Sequence, residues 1–307
     1  MAVDSVFSKS PEGVGRRDFV ATGLAFAASV AAGAPQGADG RFEALQREID
    51  AVSAPAFKDY LTSGDRQGLA ALTRLDAVVD RVAAEVKAAD VREHPAVWLV
   101  YNMGIVVKTA ACCFSIDLMH RRGHELAPLL DFAMITHTHS DHYTQAFYEA
   151  MDRSGKTVFS NFADNYGAFR GPNKRGGYAR SAKEYDIRDV RIRTGFTDHN
   201  DYLADFTTTF EIAVGNWRLF HSGDCYNVAK LNPAASPDLW VVHPRCGMDV
   251  VEGFEKFRPK TTVVAHLNEL GHARNRWRWS WQDGLDVKAK VEAAGARAVV
   301  PLWGERI

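Results

Sequence analysis

The sequence predicts an α/β fold, and three patterns carry that prediction. Apolar runs of strand length, such as Phe132–Ile135 and 240–242, recur along the chain between turn residues. Apolar stripes at helical spacing lie between them. One strand-length run opens directly into Thr136-His137-Thr138-His139-Ser140-Asp141-His142, a dense group of metal-ligand side chains.

The elements follow in order. Residues 35–40 read as a Pro/Gly-containing linker, and 42–60 as helix with a break near Ser53 and Pro55. After the turn Thr62-Ser63-Gly64-Asp65, a clearer helix carries Leu72, Leu75, Val79, Val82 and Val86 on one face. That stripe suits packing on the main domain, or a short dimer seam. From His94 the pattern turns to strands: Ala96–Tyr101 and 105–109 flank Asn102-Met103-Gly104, and 114–118 follows. Tyr143, Phe147 and Met151 recur at helical spacing until Ser154-Gly155, and 156–160 begins another strand. Segment 167–180, with Arg170, Lys174, Arg175 and Arg180, reads as a solvated loop or as a flap that meets anionic groups. Residues 210–214 and Trp217–His221 alternate around Gly215-Asn216, a two-residue hairpin signal. Short strands at 240–242 and 261–265, a helix at 286–294 capped by Gly295, and a strand at 298–302 complete the chain.

A length of 307 residues allows a large core and one or two domains. The formal charge of −1 gives no global field toward nucleic acid or membrane. The cysteines Cys112, Cys113, Cys225 and Cys246 match no zinc-ribbon spacing. Cys112 and Cys113 read as small buried hydrophobes in a strand. At the N-terminus, Gly15-Arg16-Arg17-Asp18-Phe19-Val20 precedes an Ala/Gly-rich apolar run from Ala21 to Ala34. It looks like a twin-arginine export signal, with cleavage after Ala31 or Ala34. The run is too short and too alanine-rich for a membrane span. Export predicts a periplasmic or secreted protein, where a Cys225–Cys246 disulfide is permitted. The expected organisation is signal and linker at 1–37, a helical extension at 38–93 packing on the main domain, and a catalytic domain at 94–307.

Alternating histidines at a strand end aim at one face, while Asp141 and His142 sit on the following turn and can reach a second ion. That geometry suits two close cations; the plain alternative is a histidine-rich surface loop. His-x-His-x-Asp-His after an apolar strand resembles the signature of the metallo-β-lactamase-fold superfamily, and by motif order the resemblance covers roughly 95–307. It implies a four-layer αββα sandwich with a metal centre at one edge. By the same resemblance His137, His139 and His199 would bind one metal, Asp141, His142 and His266 a second, with Asp224 bridging and Asp117 supporting. His243, His221 and His272 compete for the downstream histidine roles. The implied cofactors are two divalent ions, zinc foremost, with manganese or iron as alternatives. The intact Asp224, with Cys225 one place later, disfavours a simple lactamase.

The implied chemistry is hydrolysis by a metal-bound hydroxide of an ester, lactone, amide or phosphodiester in a small-molecule substrate. Asp141 would orient the nucleophile and accept its proton, and His272 or His243 would protonate the leaving group. An iron-dependent oxidoreductase of the same fold and a non-catalytic metal-binding protein are the competing readings. The segment 274–281 alternates arginines with tryptophans, which suits either a substrate cover or a core-filling cap; neutral charge and export argue against nucleic acid.

Overall fold

A computed structural model describes residues 40–160, 174–176, 183–201 and 203–307. The export signal and linker at 1–37, and most of the segment 167–180, lie outside the described residues. The described residues belong to one compact unit.

The N-terminal helices are α1 (Gly40–Asp50), α2 (Ala54–Ser63) and α3 (Ala70–Ala88). The break expected near Ser53 is the start of α2: the Ser53 hydroxyl accepts from Ala56 N, and Pro55 occupies the first turn, where its missing N–H costs nothing. Gly64, at φ +78°, ends that helix in the left-handed conformation. On α3 the stripe Leu72, Leu75, Val79, Val82 and Val86 is buried within the chain's own core, together with Trp98 and Val100. That burial uses the face that a dimer seam would need.

Two sheets form the centre. The first runs β1 (Ala96–Tyr101), β2 (Gly104–Lys108), β3 (Cys113–Ile116), β4 (Phe132–Ile135), β5 (Thr157–Ser160) and β6 (Lys174–Gly176), in that spatial order. Its first three strands pair antiparallel and the remainder parallel. Helix α4 (Gln145–Arg153) makes the crossover from β4 to β5, with Phe147, Tyr148 and Met151 buried beneath it.

The second sheet contains β7 (Glu184–Ile187), β8 (Val190–Thr197), β9 (Thr207–Val214), β10 (Trp217–His221), β11 (Leu239–Val242), β12 (Thr261–Val264) and β13 (Arg297–Val299), in reverse spatial order. It is antiparallel from β7 to β10 and parallel from β10 to β13. Helices α5 (Val250–Phe257) and α6 (Trp281–Ala293) make the last two of its three parallel crossovers.

Alternation along the strands sorts side chains between two cores. Val97 and Leu99 of β1 meet Ile192, Ile212, Leu219 and Val263 between the sheets. Trp98 and Val100, one residue out of phase, face the helix layer, as do Phe220, Trp240 and Val264 on the other sheet. Strict alternation on both sheets therefore produces helix, sheet, sheet and helix in succession.

Two expectations change. Helix α6 begins at Trp281, not near 286, because the Ser280 hydroxyl before it and the Asp283 carboxylate cap each other's backbone N–H groups. The permitted Cys225–Cys246 disulfide is absent: both thiols are free, and Cys225 Sγ lies 3.1 Å from Thr197 Oγ1. Among the described residues, no helix is long and apolar enough to cross a membrane.

Candidate metal centre

The site lies where the carboxyl ends of strands from both sheets meet. His137, His139, Asp141 and His142 follow β4 of the first sheet. His199 follows β8, Asp224 follows β10, His243 follows β11 and His266 follows β12 of the second. Backbone bends at these ends turn the side chains inward: Asp117, Gly223 and His266 all have left-handed φ values, of 50°, 55° and 54°. At Gly223 any side chain would collide with the neighbouring strands, since a Cβ would stand 2.6 Å from Thr207 Cγ2. His266 N donates to Asn102 O at 3.0 Å, and Asn102 Nδ2 donates to Asp141 O at 3.0 Å. The β1–β2 turn thus ties the last histidine to the first motif.

The upstream and downstream residues converge on Asp224. Its Oδ1 lies 3.4 Å from His142 Nε2. Its Oδ2 lies 3.5 Å from His199 Nε2, 3.5 Å from His266 Nε2 and 4.0 Å from His137 Nε2. Asp141 Oδ2 stands 3.1 Å from His266 Nε2 and 3.7 Å from His142 Nε2. The His139 ring centroid is 4.7 Å from that of His137 and 4.5 Å from that of His199. Metal–ligand bonds of about 2.0–2.1 Å in a tetrahedral site put neighbouring ligand atoms roughly 3.3 Å apart, so these spacings suit shared cations.

The donor chemistry fits the same reading. His137 Nε2, His142 Nε2, both ring nitrogens of His199 and Asp224 Oδ1 are buried without a hydrogen-bond partner. Buried polar atoms left bare this way are expensive unless something else satisfies them. Ligand atoms of His137, His139 and His199 lie within 4.8 Å of one another, and so do those of Asp141, His142 and His266. Asp224 completes a third such group with His137 and His142. His243 joins Asp224 and His266 at the same spacing, and Cys246 joins His199 and Asp224.

Hydrogen bonds from behind fix the tautomers. His142 Nδ1 donates to Asp117 Oδ2 at 2.9 Å, which leaves the Nε2 lone pair for the site. Thr136 Oγ1 donates to the same carboxylate at 2.8 Å and so accepts from His137 Nδ1 at 3.0 Å, again freeing Nε2. His243 is opposite: its Nδ1 accepts from Arg245 N at 2.9 Å, so its proton sits on Nε2. His221 is occupied on both sides, by Met103 O and by Gly223 N. It packs in its hairpin.

Protonation states agree with this division for His137 and His243, while His142 departs from it. Burial, reinforced by neighbouring imidazoles, keeps His137 and His243 neutral and lowers His139 to about 4. For Asp141 and Asp224 burial alone would raise the pKa, but His142 and His266 outweigh it and hold both carboxylates well below their ordinary range. His142 is pulled down by burial yet ends well raised, because Asp224, Asp141 and Asp117 surround it.

A cavity of about 570 Å³ opens onto these groups. It is also lined by His272, Trp277 and Trp279, and by Arg245 and Cys246. The segment 274–281 divides: Trp281 and Arg278 are buried, whereas Trp277 is 55% exposed at the cavity. Cys246, weighed from sequence only for a disulfide, and Glu269, behind His272, carry no local sequence signal for the places they take.

No family model matches the chain, and no curated protein matches it. Solved structures do. Igni18, a metallo hydrolase from Ignicoccus hospitalis KIN4/I, is similar at TM-score 0.54 and 21% identity, over 69% of this chain and 97% of that one. YhfI from Bacillus subtilis, a metallo-β-lactamase fold protein, matches at TM-score 0.50 and 12% identity, over 70% and 99%. CmlA from Streptomyces venezuelae, a diiron β-hydroxylase, matches at TM-score 0.52 and 12% identity, over 71% of this chain and 55% of that one. The protein has the metallo-β-lactamase fold. Its structural neighbours include metal-dependent hydrolases and a diiron hydroxylase.

Proposed function

We propose that the protein is a dinuclear metal-dependent hydrolase of small molecules, acting on an ester, lactone, amide or phosphodiester. The observation that carries this reading is the convergence of bare, buried ring nitrogens on the Asp224 carboxylate. His137, His139 and His199 would hold one cation, and Asp141, His142 and His266 the other, with Asp224 between them. Bound divalent cations would acidify a water molecule and polarise the oxygen of the electrophile.

The chain's own groups supply the rest. Asp141, its carboxylate facing the cavity, would orient the attacking water and accept its proton. His243 is neutral and carries its proton on Nε2, which suits it to donating a hydrogen bond to developing negative charge. His272, which also lines the cavity, would serve the leaving group. Trp277 and Trp279 offer apolar surface for the remainder of the substrate.

The test is elemental analysis of the protein from its native host, followed by turnover of chromogenic esters, lactones and phosphodiesters. Zinc, manganese or iron near two equivalents with hydrolysis that chelation abolishes is the expected result. Undiminished hydrolysis by metal-stripped protein would overturn it, and metal-dependent oxygen consumption without hydrolysis would favour the iron oxidoreductase. We also infer export from the Arg16-Arg17 leader; cell fractionation that leaves the full-length chain in the cytoplasm would refute it.

A further inference from the structure

Glu269 and His272 stand outside the ligand set and form a constellation of their own on the loop after His266. Glu269 is 2% exposed. Its Oε1 accepts from Tyr101 Oη at 3.2 Å and from Gly271 N at 2.9 Å. Its Oε2 accepts from His272 N at 2.8 Å and lies 3.0 Å from His272 Nδ1. Tyr101 is held in turn, since its hydroxyl accepts from Leu270 N at 2.6 Å. Buried Arg278 closes the loop by donating to the carbonyls of Leu270 and His272.

This packing leaves the carboxylate one orientation, with Oε2 toward the imidazole. Nδ1 of His272 is buried against Glu269 Oε2 as an ion-pair contact outside hydrogen-bond alignment, which leaves Nε2 as the nitrogen turned away from the carboxylate on a ring that lines the cavity. Trp277 packs edge-on against the ring, at 5.9 Å between centroids.

We propose that Glu269 positions His272 to protonate the leaving group in the hydrolysis inferred above, on which this proposal rests. Water adds to the carbonyl carbon or phosphorus, and the bond to the leaving atom breaks with its electron pair. The leaving atom takes the proton from His272 Nε2. The proton that water releases returns to His272 through Asp141 or solvent. His272 is then a catalytic residue, and Glu269 a positioning residue. The charges facing the ring favour its protonated form: Glu269 raises its pKa most, against a smaller opposing effect of burial, and Asp141 and Asp224 add to the rise. No other role described above uses the buried carboxylate.

The experiment compares wild type, His272→Gln and Glu269→Gln on esters of one acid with nitrophenyl, phenyl and alkyl leaving groups. A lost proton donor makes the deficit grow as the leaving group becomes more basic, toward roughly 10²–10⁴-fold for alkyl esters. Equal deficits across the series in both variants overturn the proposal. His272→Gln alters a partly exposed side chain, so it tests the idea even if Glu269→Gln fails to fold. Nitrogen-labelled histidine NMR of metal-free protein gives an independent arm: the His272 titration should move to lower pH in Glu269→Gln. An unmoved titration overturns the positioning role. A wild type that hydrolyses none of the series overturns the hydrolase reading, and the NMR arm still decides whether Glu269 governs His272.

Discussion

Asp117 lies wholly buried behind the candidate metal centre and accepts a hydrogen bond from His142 Nδ1 at 2.9 Å. The same carboxylate accepts from Thr136 N at 2.7 Å and from Thr136 Oγ1 at 2.8 Å. One side chain therefore fixes the strand end, the hydroxyl behind His137 and the tautomer of His142. Substituting Asp117→Asn should lower metal affinity by about 10–100-fold, although residue 117 is no ligand. Competition with a coloured chelator measures this, and unchanged affinity would refute the orienting role.

Removal of a ligand should act on metal and chemistry together. Asp224→Ala and His137→Ala are expected to lose bound metal and turnover in parallel. Full metal occupancy in Asp224→Ala would remove that carboxylate from the centre.

Gly223 has φ +55° and no room for a side chain. Gly223→Ala should destabilise the fold by at least about 1–2 kcal/mol, from the left-handed conformation alone. Because it displaces the adjacent Asp224, metal content should fall as well. Thermal unfolding and elemental analysis read the two effects separately.

His120 supplies a pH prediction away from the metal centre. Its Nε2 donates to Leu75 O at 2.8 Å and its Nδ1 accepts from Arg122 N at 2.9 Å, so the buried ring is neutral. Burial lowers its pKa to about 4, against an ordinary value of 6.5. Between those values the unfolded chain binds a proton that the folded chain refuses. The contribution is complete above pH 6.5 and is lost as pH falls toward 4, up to roughly 3 kcal/mol. His120→Asn should remove about one proton from the pH dependence of metal-free unfolding in that window. An unaltered slope would contradict the assignment.

Trp277 is 55% exposed, at φ +67°, on the cavity wall. Trp277→Ala should change stability by less than about 0.5 kcal/mol. It should raise KM severalfold for ring-bearing substrates and much less for small ones. Equal KM changes for both would exclude a role in holding the substrate.

Much of the fold and of the candidate site was legible in the sequence, for identifiable reasons. His137 to His142 are contiguous and follow a strand, so one turn brings them together. The family resemblance places Asp224 after the second hairpin and His266 at the end of a late strand, and Leu72 to Val86 spell a helix face. Strand β8 was missed in the sequence: Val190 and Ile192 alternate with Arg191 and Arg193, but the charges make the stretch look like a loop. Helix α5 has only 8 residues, too few for its period to stand out, and owes its start to the Asp249 cap. Glu269 was illegible for a different reason. Its partner Tyr101 is 168 residues away in sequence, and only tertiary packing brings the two together.

The proposed ligands come from two sheets, four from the loop after β4 and the others from loops after β8, β10 and β12. A cation there would serve as a rivet through the seam of the sandwich. Without it, direct hydrogen bonds such as Thr208 N to Thr136 O at 2.8 Å and His266 N to Asn102 O at 3.0 Å would join the two sheets at that edge. Loading with metal would then also be a mechanical event, adding a further fastening between the two sheets at that edge.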